Sequence, residues 1–171
     1  MNELVLRSGG QTGVDRAVLD FAVARRIPCL GWCPNGGRAE DLPDPPGLLA
    51  RYKQLTETPS RDPKQRSAWN VRDSHASLII LNGTDVSGFR GTSFTIDCAT
   101  LTFLRPCYTG NAASIDGAER TRDWIGRVFD SVGSGGPLVL NVAGPRESES
   151  KGIYRITLDF LSIVLPLDEP D

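Results

Sequence analysis

The stretch LVLRSGGQTGVDRAVLDFA, residues 4–22, constrains the fold of this chain more than any other. Its apolar run of Leu4, Val5 and Leu6 ends abruptly at a serine and two glycines, which is typical of a buried parallel strand that stops in a turn. After Gly13 the apolar residues recur at helical spacing, so a helix follows. The stretch therefore predicts a strand, a glycine-rich turn and a helix in direct succession.

The turn in this unit has the features of an anion site. Glycines let a ligand approach the main chain closely, and the start of a helix offers unpaired N–H groups and a partial positive charge. The turn is neither GxGxxG nor a P-loop, because no lysine follows the glycines. We expect contacts to phosphate from the six residues Ser8, Gly9, Gly10, Gln11, Thr12 and Gly13. The alternative is a tight turn whose glycines serve packing alone.

Four more apolar segments, at 27–32, 76–81, 107–109 and 137–142, alternate with helical patterns. This alternation predicts one Rossmann-like three-layer α/β domain over residues 1–171, with a mostly parallel sheet of about five strands and helices on both faces. The simplest topology gives the strand order 2-1-3-4-5, with the first and third strands side by side. The third strand is followed by a second glycine-bearing loop, so two helix N-termini would face one anion or two phosphates of one ligand.

Two segments lie outside this alternation. Residues 34–62 are rich in proline, glycine and charge and lack periodicity, so we interpret them as a flap-like loop over the site. A merely solvated loop is the alternative. Residues 166–171 form an acidic tail.

Composition limits the classes of partner. The net charge of −2 argues against a broad nucleic-acid surface, and no apolar run reaches the roughly 20 residues that span a bilayer. We expect a cytoplasmic protein with neither a nucleic-acid nor a membrane partner. The four cysteines form no CxxC pair and the chain has a single histidine, so no metal site is predicted.

Five motifs carry a family resemblance: SGGQTGVDRAVLDFA, IPCLGWCPNGGRAED, RYKQLTET, NVRDSHASLIIL and LNVAGPRES. In this order they resemble the molybdenum cofactor carrier family. Its Rossmann-like superfamily includes the cytokinin-activating phosphoribohydrolases, once called lysine-decarboxylase-like. The resemblance covers nearly the whole chain. It implies a small phosphate-bearing, nucleotide- or pterin-like ligand, of which molybdenum cofactor is one candidate, and a homo-oligomer (dimer or tetramer).

Further binding residues are predicted beyond the first turn, some from the resemblance and some from the loops that follow the third and fifth strands. They are Arg38, Glu40, Arg66, Asn70, Asn82, Gly83, Arg90, Gly91, Thr92, Gly144 and Glu147. Relatives have Gly-Gly-Thr where this chain has Arg90, Gly91 and Thr92, so the arginine either obstructs the backbone approach or adds a cation. Glu147 either recognises an N–H edge of a heterocycle or forms a structural ion pair.

The resemblance favours binding over catalysis. The phosphoribohydrolase relatives place a glutamate in the helix after the second loop, whereas residues 93–96 of this chain, SFTI, hold no carboxylate. We therefore assign no catalytic residue and predict a binding or carrier protein. Two alternatives stay open: an N-glycosidase that uses displaced groups such as Glu40 or Glu147, and a nucleotide-sensing domain.

Overall fold

The computed structural model describes residues 3–165, except for the side chain of Ser134. The strands are β1 (Leu4–Arg7), β2 (Cys29–Cys33), β3 (Leu55–Glu57), β4 (Ala76–Leu81), β5 (Cys107–Asn111) and β6 (Leu138–Ala143). The helices are α1 (Val14–Ala24), α2 (Leu48–Arg51), α3 (Pro63–Arg72), α4 (Arg90–Asp97), α5 (Ile115–Val132) and α6 (Ile153–Val164). None of the helices in this range is long and apolar enough to span a bilayer.

The six strands form one parallel sheet in the order β3-β2-β1-β6-β4-β5. The predicted α/β fold is confirmed, but the predicted order 2-1-3-4-5 is wrong. The last strand, β6, lies between β1 and β4: Val139 is in register with Val5, and Val142 with Leu78. The prediction assumed that strands close in sequence are neighbours. Burial decides otherwise, since β4 and most of β6 are buried on both faces, as central parallel strands are.

The sixth strand, β3, lies within residues 34–62 and pairs with β2 from Gly31 to Cys33. The same segment contains a 3-10 turn at Asn35–Gly37 and the short helix α2. A small apolar cluster holds the segment against α1 and β2: Leu19, Cys33, Ala39, Leu48, Tyr52 and Leu55. The segment is therefore tied to the sheet edge through packed side chains. The predicted tail 166–171 lies outside the described residues.

Alternate residues of the central strands face opposite layers. Leu78 and Ile80 pack in the main core with α1, α5 and α6. Ile79 and Leu81 lie in another apolar cluster on the opposite face, which includes residues just before α4 and one residue within α4. Because successive strand residues point to opposite faces, helices cover both sides of the sheet.

Two helix starts matter for the site. Helix α3 begins at Pro63, and the Asp62 side chain caps it by accepting a hydrogen bond from the N–H of Lys64 at 2.9 Å. Helix α4 begins at Arg90 and continues into a π-helical turn at Cys98–Thr102. The residues of the second loop therefore form the first turn of α4.

Candidate functional site

A cavity of about 220 Å³ lies beyond the carboxyl ends of β1 and β6. Its walls come from the start of α1, from α3, from the first turns of α4 and from the loop after β6. Four cations line it: Lys64, Arg66, Arg90 and Arg146. Three carboxylates also line it: Asp15, Asp62 and Glu149. Parallel α/β sheets bind ligands at this edge.

The N-terminus of α4 forms one wall of this cavity. The N–H groups of Arg90, Gly91 and Thr92 precede the first intrahelical hydrogen bond, which runs from the N–H of Ser93 to the Phe89 carbonyl at 2.9 Å. A Cβ built on Gly91 would meet no atom within 4 Å, so the approach to this turn is open. The Thr92 hydroxyl is buried, and among residues 3–165 it has no hydrogen-bond partner. Unpaired donors at a helix start are suited to an anion.

The opposite wall holds a buried ion pair. Arg66 Nη1 lies 2.7 Å from Asp15 Oδ2, with side chains 13% and 3% exposed. Burial raises the pKa of Asp15, and the neighbouring Arg66 guanidinium counteracts that rise. Arg66 Nε is also buried, and no acceptor for it exists within the described part of the chain. The ion pair thus holds the Arg66 guanidinium beside the cavity, and its Nε–H still lacks an acceptor within the described residues.

Gly9 makes room for this pair. A Cβ on Gly9 would overlap the Arg66 guanidinium and lie 3.0 Å from its Cδ. The glycine therefore allows Arg66 to cross the first turn and reach Asp15. This is a packing role for Gly9, in line with the alternative interpretation of the turn.

The other predicted residues of the first turn mostly face the protein. Ser8 is fully buried and its hydroxyl donates to the Asp15 carbonyl at 3.0 Å. Gly10 has a φ of 75°, and a Cβ there would contact Leu48 and Leu55 in the small apolar cluster. Neither residue lines the cavity.

The start of α1 is covered by the loop after β6. Gly13, with a φ of 74°, packs against the main chain of residues 145–147, where a Cβ would come within 2.7 Å of Glu147 N. The Val14 N–H donates to the Pro145 carbonyl at 3.2 Å. The predicted pair of helix N-termini facing one anion is therefore wrong, because β6 and its loop separate α1 from α4 and occupy the α1 terminus.

Gln11 and Thr12 connect the first turn to residues 34–62. Gln11 lines the cavity, and its Oε1 accepts from the N–H groups of Thr12 at 3.0 Å and Glu40 at 2.9 Å. Glu40 accepts from the hydroxyls of Thr12 and Ser148. Burial raises the pKa of Glu40, but these hydrogen bonds outweigh it, so its pKa lies below the usual range. Glu40 is thus a carboxylate that holds two loops together.

Arg38, Asn70, Asn82 and Gly83 also do not reach the cavity. Asn70 is buried and pairs with the main chain of Trp32, accepting at 2.8 Å and donating at 3.0 Å, which ties α3 to β2. Asn82 is exposed, and the N–H of Gly83 donates to Asn111 Oδ1 at 3.1 Å. Asn82 and Gly83 lie just after the end of β4, on the side of β5.

The loop after β6 divides its predicted residues. Gly144 lines the cavity. Glu147 instead caps α6, because its carboxylate accepts from the N–H of Gly152 and, at 3.0 Å, from that of Tyr154. Neither the heterocycle contact nor the ion pair foreseen for Glu147 describes this arrangement.

Sequence reasoning missed five charged residues that line the cavity: Asp15, Asp62, Lys64, Arg146 and Glu149. Lys64 gave a usable signal, since it follows the cap and the first-turn proline of α3. Arg146 Nη1 lies 4.0 Å from Glu40 Oε2, and the Arg146 N–H donates to Glu149 Oε2 at 3.0 Å. These contacts depend on the fold and have no local pattern.

The fold and the cavity define a Rossmann-like α/β protein with a cation-lined site at the carboxyl edge of its sheet. The profile of the "Circularly permutated YpsA SLOG family" matches residues 6–165. A crystal structure named "Putative molybdenum carrier protein", from Syntrophus aciditrophicus, is 35% identical, with a TM-score of 0.80 over 96% of each chain. No curated protein matches the chain. The chain belongs to the circularly permuted YpsA SLOG family, and the predicted family resemblance is confirmed.

Proposed function

We propose that this protein binds and carries a small phosphate-bearing ligand in the cavity between α3, α4 and the loop after β6. The observation that carries the proposal is the first turn of α4, where free N–H groups and the unpartnered Thr92 hydroxyl meet an open space. Buried polar groups are normally hydrogen-bonded, so an unpaired hydroxyl beside a cavity suggests an absent partner. A phosphate oxygen accepts hydrogen bonds and suits these donors.

The charges around the cavity support an anionic ligand. The Arg90 side chain makes no hydrogen bond or ion pair within residues 3–165, and Lys64 Nζ lies 5.8 Å above the Phe94 ring. The departure from Gly-Gly-Thr thus places an unpaired cation beside the α4 terminus. Arg66 adds a guanidinium whose direction is fixed by Asp15. Guanidinium groups match the geometry of phosphate.

Molybdenum cofactor is the candidate ligand that the name of the structural relative suggests. It combines a pterin dithiolene with a terminal phosphate, and the donors at α4 suit the phosphate. No cysteine lines the cavity, and burial raises the pKa of Cys33 and Cys107 to about 11. Within residues 3–165 no group of three His, Cys, Asp or Glu residues could hold a metal ion. The residues at the start of α4 would therefore hold the phosphate of the cofactor. The metal would be held by the cofactor's own sulfur atoms.

The carboxylates around the cavity favour binding over hydrolysis. Asp15 is paired with Arg66, Asp62 caps α3, and Glu149 accepts from the main chain of Arg146. A general acid or base must be free to exchange a proton with the substrate. Each of these groups has a structural partner, so the N-glycosidase alternative lacks an evident acid–base residue.

The first experiment identifies what the protein carries. Freshly purified protein is denatured, and the released small molecules are analysed by mass spectrometry with elemental analysis for molybdenum. A pterin phosphate with molybdenum supports the carrier proposal, whereas a nucleotide or a ribose phosphate moves the ligand assignment to that class.

The second experiment measures affinity for inorganic phosphate. We expect Thr92→Val and Arg90→Gln each to weaken binding several-fold to about tenfold, as loss of one hydrogen bond to a charged group would. Arg127→Gln removes the same charge from an exposed position on α5 and serves as the control. Wild-type protein that fails to bind phosphate, or site variants that match the control, would contradict the proposal.

A further inference from the structure

A second cleft continues the cavity on its other side. It is about 280 Å³ and shares Gln11, Pro63 and Arg146 with the cavity. Its remaining walls come mainly from residues 34–40, including Arg38, and from Arg61, which precedes α3. The two spaces are therefore adjacent at the three shared residues, and together they are called the depression.

The second cleft has an excess of positive charge. Arg38, Arg61 and Arg146 line it together with one carboxylate, Glu40. Within residues 3–165, Arg38 and Arg61 form neither an ion pair nor a side-chain hydrogen bond. Glu40 is already bound by two hydroxyls and lies 4.0 Å from Arg146. Like charges gathered in one concave surface repel one another, and a bound anion relieves that repulsion.

The excess of positive charge in the cavity and the cleft contrasts with the negative net charge of the whole chain. The whole protein carries a net charge of −2, yet the cavity and cleft together have six cations and four carboxylates. All four carboxylates accept hydrogen bonds from protein groups. Four of the cations, Arg38, Arg61, Lys64 and Arg90, have no acidic partner within the described residues. They lie in both parts of the depression, so the unpaired charge is not confined to the α4 wall.

We propose that the second cleft is a second anion site, and that the natural ligand is a molecule with two separated anionic groups. One group binds at the first turn of α4, and the other lies between Arg38, Arg61 and Arg146. The body of the molecule passes from one space to the other beside Gln11 and Pro63, which line both. This inference rests on the proposed function for the α4 site. A ligand with a single phosphate would leave the arginines of the second cleft unpaired.

Inorganic phosphate tests the second site without knowledge of the ligand. In an NMR titration we expect two groups of resonances to shift: the backbone amide of Thr92, and the side-chain Nε–H groups of Arg38 and Arg61. The double variant with Arg38→Gln and Arg61→Gln should lose the second response and keep the first. Arg127→Gln should retain both responses.

The outcomes separate this inference from the proposed function. Shifts at Thr92 alone would overturn the second site and leave the α4 site standing. No shift at Thr92 would overturn the α4 site, and with it the two-anion ligand.

A matched pair of sugar phosphates tests whether one molecule spans both sites. We expect fructose 1,6-bisphosphate to bind about tenfold or more tightly than fructose 6-phosphate, because the second phosphate gains charge-assisted hydrogen bonds. The Arg38→Gln, Arg61→Gln double variant should abolish this difference while leaving the affinity for fructose 6-phosphate unchanged. Equal affinity of the two sugars for the wild-type protein would overturn the two-anion ligand class.

Discussion

Gly9→Ala is the sharpest test of how the site is built. Gly9 is buried, and its Cβ position is filled by the Arg66 guanidinium. Its φ is outside the left-handed region, so alanine brings no backbone strain. The nearest atoms that the added methyl group meets all belong to Arg66. We expect the guanidinium to leave the first turn and separate from Asp15.

The structure sets the size of the effect. Removing one partner of a buried ion pair costs about 3–5 kcal/mol. Arg66 can move its head into the cavity, so the penalty falls on Asp15, which is 3% exposed. We expect a loss of about 3 kcal/mol in the free energy of unfolding at neutral pH, which lowers the melting temperature by roughly 6–12 °C for a chain of this size.

The loss of stability caused by Gly9→Ala should depend on pH. Without Arg66, burial of Asp15 is opposed only by a backbone hydrogen bond from Gln11 and by the charge of Arg16, so the folded pKa rises further above the unfolded value of about 3.9. The folded variant then binds more protons than the unfolded chain between these two pKa values, so its stability falls as the pH rises through that interval. The difference from wild type should be smaller near pH 4 than at pH 7.

Urea unfolding followed by circular dichroism measures these quantities, with two controls. Gly126→Ala lies in α5 with no atom near its Cβ position and should stabilise by about 0.5–1 kcal/mol. In an Arg66→Ala background the ion pair is already lost, so Gly9→Ala should cost nothing further. An equal cost in both backgrounds, or no cost in the wild-type chain, would refute the assignment of Gly9 to the accommodation of Arg66.

Three further variants test other parts of the fold and site. Asn70→Ala removes both hydrogen bonds to the main chain of Trp32 and should lower the free energy of unfolding by about 2–3 kcal/mol in urea titrations. Glu147→Gln removes a negative charge from the start of α6; we expect a loss of about 0.5–1 kcal/mol and unchanged phosphate affinity, whereas a large change in affinity would restore a ligand role for this residue. The hydrogen bonds from Arg16 lower the pKa of Asp41, so Asp41 stabilises the fold above its unfolded pKa, and this contribution is lost as the pH falls through its folded pKa. Asp41→Asn should therefore flatten the acid side of the stability curve measured by urea midpoints, and an unchanged acid slope would contradict the pairing.

Local periodicity predicted most of the elements, because each spans enough residues to repeat. The helical spacing after Gly13 corresponds to α1, and the apolar run at 76–81 is β4. The short strand β3 escaped because only Leu55 of its three residues is buried, so no alternation is visible. The position of β6 between β1 and β4 could not be predicted locally, since it depends on which strands bury both faces.

The fold brings only some of the residues predicted to bind the ligand to the cavity, and their binding role stays a prediction. Arg66, Arg90, Gly91, Thr92 and Gly144 all line the cavity. The glycines of the first turn show the limit of the sequence. A glycine indicates that something comes close, but only the fold identifies the neighbour. Here the neighbour is a guanidinium, an apolar cluster or a loop main chain.

The insertion of β6 determines which groups are free to bind an anion. In a sheet with β1 beside β4, the starts of α1 and α4 would share one ligand. Here the Pro145 carbonyl accepts from the first N–H of α1, that of Val14, and the same loop packs against Gly13 just before the helix. Arg66 from α3 reaches across Gly9 to Asp15 in the first turn of α1 and places a full positive charge beside the cavity. Positive groups therefore face the cavity from two sides. One side is the start of α4, and the other is the Arg66 guanidinium, which Asp15 of α1 holds in place.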